Sequence, residues 1–239
     1  MKQTRLSIDF SWRHAVGEFV LIVAGVLVAM AANSWWESRQ DRTKEETYLT
    51  QLLADTRANQ ERVDSAFVVD SVALASTNRL QSILDGRTAI PPRDSTRRGF
   101  IGSDAFANPD FRPLLGTYTA LLETGDLQLL DSPDLRFRLV AYQSSLESVR
   151  ETVRHVSETL ERQEDSYYRA LIPLLPTRRR GGPDFQRMVE AVQGRQEITI
   201  PLGAAQQARM RRMRVLRSLR KETRLLVDDL EAERTKVAE

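Results

Sequence analysis

Residues 19–32 read FVLIVAGVLVAMAA, an unbroken apolar run with Trp12 ahead of it and Trp35 and Trp36 behind it. From Trp12 to Trp35 is 23 residues, which a helix rising about 1.5 Å per residue turns into roughly 35 Å. The hydrocarbon core of a bilayer is about 30 Å thick. Indole rings collect at the interface, where the ring body meets lipid and the N–H meets water, so Trp12, Trp35 and Trp36 are expected as interfacial anchors. The spacing predicts one membrane-spanning helix over 15–36 behind a short N-terminal tail, 1–14. The strictly apolar core has 14 residues, fewer than the roughly 20 of a standard span, and Ala15, Val16, Gly17, Asn33 and Ser34 complete it around one embedded carboxylate, Glu18. A cleaved signal peptide is the competing reading, with Lys2, Arg5 and Arg13 as a basic n-region and Ala29-Met30-Ala31 as an A-x-A site. The length of that n-region, and the passage into a helical pattern without a polar break, favour the anchor.

Outward from the run, apolar residues recur at helical steps. Leu49, Leu53, Val63, Phe67, Leu74 and Leu84 form a stripe interrupted by Thr56, Gln60, Asp70 and Gln81, which predicts an amphipathic helix over 37–85, continuous with the anchor and ended by Gly86 at C′. Arg87 to Pro109, rich in Pro, Gly, Ser and Arg, reads as the longest loop. A short helix is expected at 113–124, closed by Gly125. Asp131-Ser132-Pro133 supplies an N-cap with proline at N1 for a long helix over 132–172. Pro173 and Pro176 break that helix, 177–183 (TRRRGGP) reads as a basic turn, and Asp184 caps a short helix at 184–193. A last long helix over 202–236 turns Met213, Leu216, Leu226 and Leu230 inward. With β-branched alternation almost absent, the fold class is all-α: a transmembrane helix continuous with an antiparallel, coiled-coil-like helical bundle that fills 37–239 as one domain.

The segment from Gly17-Glu18-Phe19 to Asn33-Ser34-Trp35-Trp36-Glu37-Ser38-Arg39, followed by Tyr48-Leu49, resembles the start of a large family of uncharacterised bacterial single-pass membrane proteins. Residues 117–135 (TYTALLETGDLQLLDSPDL) are similar to a second part of that family: helix, glycine turn, apolar link, capped helix. The resemblance covers about a third of the chain and implies an anchor and a helical domain without an activity.

The predicted span has an asymmetric face. At 100° per residue, His14, Glu18, Ile22, Gly25, Ala29, Ala32 and Asn33 share one sector. Gly25 and Ala29 make a small-xxx-small step that admits a second helix closely, with Glu18 and Asn33 placed to hydrogen-bond across the contact. The alternative is that Gly and Ala are simply common in membrane helices. The topology-setting charges are tied, Lys2, Arg5 and Arg13 before the run against Arg39, Arg42 and Lys44 after it. Interleaved acids on the far side favour a bacterial inner-membrane protein with a cytoplasmic N-terminus and a periplasmic domain.

Charge is uneven despite 35 Lys and Arg against 33 Asp and Glu. Residues 177–224 hold 13 basic side chains against 4 acidic, and 110–176 hold 7 against 11. Arg209, Arg212, Arg217, Arg220, Lys221 and Arg224 are expected as a basic surface. It is either a solvated face neutralised by neighbouring helices or a site for an acidic partner. Nucleic acid is not expected as a partner, because the segment has no interleaved aromatics and no recognisable binding module. Zero cysteines exclude a disulfide framework, thiolate ligands and a cysteine nucleophile. His155, with Glu151 and Glu158 beside it, lacks the second Glu-x-x-His of a di-iron bundle and reads as a helix-surface residue contacting Glu151. No phosphate loop or nucleophile elbow appears. The expectation is therefore no enzyme, no cofactor and no metal, with membrane lipid and other integral membrane proteins as partners and a homo-oligomer left open. Two roles fit: an accessory subunit docked on a larger membrane complex, of the energy-transducing photosynthetic or respiratory kind, or a self-associating anchored sensor or adaptor with a periplasmic stalk.

Overall fold

The computed structural model describes residues 12–89, 103–174 and 185–238. Among these the chain is all-α with no strand. It comprises α1 (Trp12–Leu84), α2 (Gly116–Thr124), α3 (Pro133–Leu171), α4 (Phe185–Val192) and α5 (Gln196–Ala238), with short 3₁₀ turns at Ser103–Phe106, Asp126–Leu129 and Ile172–Leu174. The expected basic turn at 177–183, the Asp184 cap and residues 90–102 of the expected loop lie outside the described residues.

Helix α1 runs 73 residues without a break, about 110 Å at standard rise. Residues 17–44 are solvent-exposed on every side, and the apolar part of this helix is long and apolar enough to cross a membrane, with a mean hydropathy of 1.9. The helix stops in a Schellman motif: Gly86 takes φ 71°, its N–H donates to Ile83 C=O at 3.0 Å, and Arg87 N–H donates to Ser82 C=O at 2.8 Å. Only glycine enters that left-handed C′ position at no steric cost.

From Glu45 outward the buried residues of α1 step alternately by four and three up to Leu84, and the same spacing runs from Leu135 to Leu160 in α3 and from Ile198 to Glu233 in α5. That period of 3.5 keeps one seam facing its neighbours along the whole length, the condition for a coiled coil. Ion pairs Arg57–Glu231 and Asp64–Arg220 and the bond from Gln206 to Asn78 fix α5 antiparallel to α1. Arg138–Asp229 and Tyr142–Thr223 fix it antiparallel to α3. Helices α1 and α3 therefore run parallel, and the chain between them must return along the bundle. Phe106 packs against Tyr167, ring centroids 5.2 Å apart; further back the segment meets Asn59 and Thr56, and Asp131 N–H ends it on Glu45 Oε1 at 2.9 Å.

Two boundaries differ from the sequence reading. Helix α2 begins at Gly116, because Leu114 gives both its backbone groups to Asn59: its N–H donates to Oδ1 at 2.6 Å and its C=O accepts from Nδ2 at 3.0 Å. Helix α5 begins at Gln196, five residues ahead of Pro201. At that early position the missing proline N–H costs one intrahelical bond, and the helix carries on through it. Ser132 caps α3 as expected, its Oγ accepting from Leu135 N–H at 3.3 Å ahead of Pro133.

The core is in two parts. One, around Leu49, Val63, Tyr118, Leu139 and Leu216, lies toward the apolar part of α1; the other, around Leu80, Phe106, Leu160, Tyr167 and Leu202, lies at the far end. Between them sits a layer of buried charge.

Candidate docking face and the buried charge layer

The structure corrects the basic surface at two positions. Arg209 and Arg212 are wholly buried, and so is Asp70. They occupy core positions of the 4–3 spacing, between Ala205 and Leu216 on α5 and between Ala66 and Ala73 on α1, so the coiled-coil period turns them inward. Asp70 Oδ1 accepts from Arg209 Nη1 and its Oδ2 from Arg212 Nε, each at 2.6 Å. The second positive charge is met by oxygens of the returning segment. Arg209 Nη2 donates to the carbonyls of Ala105 at 2.9 Å and Ala107 at 2.8 Å. Arg212 Nη1 donates to Asn108 Oδ1 at 2.8 Å, which also accepts from Ser157 Oγ of α3 at 2.9 Å. Burial pulls the Arg209 pKa down and Asp70 opposes it. The layer ties α1, α3, α5 and residues 105–109 into one register.

The remaining basic residues divide. Arg220 and Arg224 reach Asp64 of α1, and Arg217 and Arg220 both stack on the Phe67 ring, at 5.8 Å and 5.6 Å from its centroid. Lys221 is exposed and, among the described residues, has no carboxylate within ion-pair distance. His155 is exposed on α3 one turn after Glu151, and the Glu151 carboxylate is engaged by Arg154, 2.5 Å from Nη2, with Arg154 also bridging to Glu158 at 2.8 Å. No group of three or more His, Cys, Asp or Glu is placed to hold a metal among the described residues.

Along the apolar part of α1, Gly25 has open space around it, since a Cβ built there meets nothing within 4 Å. Asn33, expected to bond across to a partner helix, donates from Nδ2 to Glu37 Oε1 of its own helix at 2.8 Å. Trp35 and Trp36 are both exposed, and the Arg39 guanidinium lies 5.6 Å from the Trp35 ring centroid. Of Trp12 the structure gives its place as the first residue of α1.

Beyond the tryptophans lies an open groove of about 710 Å³, lined on α1 by Trp36, Arg39, Gln40, Thr43, Lys44 and Thr47 and bounded above by Tyr48, Gln51 and Asp126. That volume is in the range of sites that hold ligands or side chains of a partner. Its upper wall is fixed by Tyr48 Oη donating to Asp126 Oδ2 at 2.6 Å. This bond holds the Asp126 carboxyl below the usual carboxylate range and the Tyr48 hydroxyl above its own. At 100° per residue, Gly25, Ala29, Trp36, Thr43 and Thr47 fall within about 40° of one another on α1. The small-residue face of the apolar segment and the floor of the groove are thus one side of one unbroken helix. Glu45, Leu49 and Leu52 occupy the opposite side, in the core.

Comparisons with protein-family models, with curated proteins and with solved structures found no match. Function must be read from this geometry. Sequence reasoning isolated Gly25 and Ala29 but missed the groove, because Asp126 reaches it from 78 residues away in sequence.

Proposed function

We propose that this chain is a non-catalytic accessory subunit of a bacterial inner membrane, anchored by a single span and docked on a larger integral membrane assembly through the outer face of α1. The observation that carries the reading is the alignment of Gly25 and Ala29 with the groove from Trp36 to Thr47. A partner helix following α1 out of the bilayer meets residues that permit close approach inside it. Outside, it meets a concave wall offering an indole ring and the hydrogen-bonding groups of Gln40, Thr43 and Thr47. The same face is turned away from the bundle core, and among the described residues no side chain covers residues 17–44. Lys2, Arg5 and Arg13 match Arg39, Arg42 and Lys44 in number, and the acids interleaved with the latter support a cytoplasmic N-terminus with the bundle in the periplasm.

The experiment is extraction from the native membrane in mild detergent, followed by identification of co-purifying chains. A stoichiometric set of other integral proteins, lost from a Gly25→Leu/Ala29→Leu variant, supports docking through this face. Recovery of the chain alone sinks the subunit reading, and recovery only as its own oligomer replaces it with the self-associating sensor or adaptor.

A further inference from the structure

Between the tryptophans and the bundle, α1 stands alone. Residues 35–44 are exposed on every side and Glu45 is the first buried residue beyond them, so the underside of the bundle is held about 15 Å from the level of Trp35 at standard rise. One side of this neck carries an open cleft of about 430 Å³, lined by Trp35, Ser38, Arg39 and Arg42. At 100° per residue, Trp35, Arg39 and Arg42 fall within about 60° of one another. The Arg39 guanidinium lies 5.6 Å from the Trp35 ring centroid. The Ser38 hydroxyl gives its proton to Ser34 C=O at 2.9 Å, so the donors left to the cleft are the two guanidiniums. Among the described residues neither has a carboxylate within ion-pair distance, and Arg57 is the first arginine along α1 that does. Acids are not scarce here, since residues 37–46 hold three basic and four acidic side chains. They are placed elsewhere. Glu37, on the far side of the helix, accepts from Asn33, Asp41 lies about 120° round from Trp35, and Glu45 is turned into the bundle, where it accepts from Asp131 N–H. Glu46 shares the side of the cleft but stands about 6 Å further from the apolar segment than Arg42.

We propose that this cleft binds the phosphate of an anionic phospholipid of the membrane that anchors α1, with the Arg39 and Arg42 guanidiniums donating to its oxygens beside the Trp35 ring. The inference rests on the reading of the apolar segment as a membrane span, and it is independent of the docking partner. Depth selects the occupant. The headgroup layer adds about 5–8 Å to each side of the hydrocarbon core. With Trp35 at the interface, Arg39 stands about 6 Å beyond it and Arg42 about 10 Å, and a long arginine side chain extends back toward the phosphates. The bundle begins beyond that layer and leaves it free for lipid. Chemistry selects the headgroup: the planar fork of a guanidinium matches two phosphate oxygens at once, and a zwitterionic headgroup brings a cation of its own against the two arginines. Position on one side of the neck, and not net charge, makes the site, because the neck as a whole is not basic.

The test places the full chain in vesicles of equimolar phosphatidylglycerol and phosphatidylcholine, extracts it in mild detergent, and counts retained lipid by native mass spectrometry at stepped lipid concentrations. Retention of phosphatidylglycerol in preference to phosphatidylcholine is expected, about tenfold weaker for Arg39→Gln/Arg42→Gln. Arg79→Gln/Arg150→Gln removes the same charge from exposed positions on the bundle and is expected to bind as the wild type does. Equal melting temperatures verify that the variants are folded. Equal retention of the two lipids, phosphatidylglycerol binding indifferent to the loss of Arg39 and Arg42, or its displacement by millimolar inorganic phosphate overturns the proposal. The two readings fail differently: a chain stripped from the vesicles by carbonate overturns the span itself, whereas an inserted chain without lipid preference overturns only the site.

Discussion

Asp70 of α1 and Arg212 of α5 meet at 2.6 Å with neither side chain exposed to solvent, and Arg209 occupies the second oxygen of the same carboxylate. One acid thus holds two buried cations. Asp70→Ala leaves both guanidiniums without their counter-ion, and removing one partner of a buried ion cluster costs about 3–5 kcal/mol. Replacing all three by apolar residues of similar size, as in Asp70→Leu/Arg209→Met/Arg212→Met, costs much less, because no charge remains to desolvate. Urea unfolding of the full chain in detergent micelles, followed by circular dichroism, gives the order wild type, triple variant, single variant in falling stability if the apolar layer packs less well than the ion layer. A single variant as stable as the triple contradicts the assignment.

Asn59 is the corresponding fastener for the returning segment, because its amide satisfies both backbone groups of Leu114. Asn59→Ala strands these groups in a partly buried site at about 1–3 kcal/mol. Asn59→Asp keeps the acceptor and loses the donor, and is expected between the two. Amide hydrogen exchange distinguishes this from a general loss of packing: protection falls first at residues 112–119 and last in α3.

These two cases explain what the sequence did and did not disclose. The helices, the Gly86 and Gly125 stops and the Ser132 cap follow from local chemistry and were legible. The α1 seam was not, since the row from Glu45 to Leu84 includes Glu45, Thr56, Asn59, Asp70 and Thr77. Thr56 and Asp70 looked like interruptions of an apolar stripe although they hold core positions, Thr56 against the Tyr118 hydroxyl and Asp70 against two arginines. The spacing was the better guide: stepping by four and three from Leu202 and Ala205 reaches Arg209 and Arg212 before Leu216. Composition outweighed spacing because arginine is so seldom fully buried. The floor of the groove is a face of α1, but its closing wall had no local signal, since Asp126 comes from the turn after α2.

Glu45 sits at the end of the bundle nearest the apolar part of α1. Burial raises its pKa above the ordinary carboxylate range; the neighbouring Asp131 and Glu233 push the same way, and the Asp131 N–H opposes them. The sign follows directly. Between the unfolded and folded values the native state binds more protons than the unfolded chain, so stability falls as pH rises through that window. Glu45→Gln keeps an acceptor for Asp131 N–H and removes the charge. It is expected to be more stable than the wild type at neutral pH, with the advantage shrinking as pH falls through the window. Melting temperatures of both chains across that range check it, and a gap that widens on acidification contradicts the assignment.

Tyr142 gives the alkaline counterpart. Burial pushes its hydroxyl up to about 12, against the hydrogen bonds from Thr223 and Asn59 that lower it. Between about 10, the usual tyrosine value, and about 12 the folded chain keeps a proton that the unfolded chain has released, so stability declines as pH rises through this interval. Tyr142→Phe removes that share of the slope and loses the bond to Thr223, at about 1 kcal/mol. Wild type and variant should therefore converge in stability as pH climbs; parallel curves in urea titrations at stepped pH contradict this.

Gly25 separates folding from docking. A Cβ at this position meets nothing within 4 Å, and the residue lies in a part of α1 that is exposed on every side among the described residues. Leucine is also the better helix former by several tenths of a kcal/mol or more. Gly25→Leu is therefore expected to leave the melting temperature of the bundle unchanged in detergent, since nothing native is displaced. If the α1 face is the docking track, the same substitution pushes a partner helix away from the close approach that a small-xxx-small step allows and abolishes co-purification. Thr47→Trp fills the groove on the same side of the helix but outside the bilayer, and is expected to weaken association without touching the span. Loss of association in both variants at unchanged melting temperature assigns the whole track to one interface. Loss in Gly25→Leu alone confines the contact to the membrane, and a melting temperature that drops in step with association makes the effect one of folding.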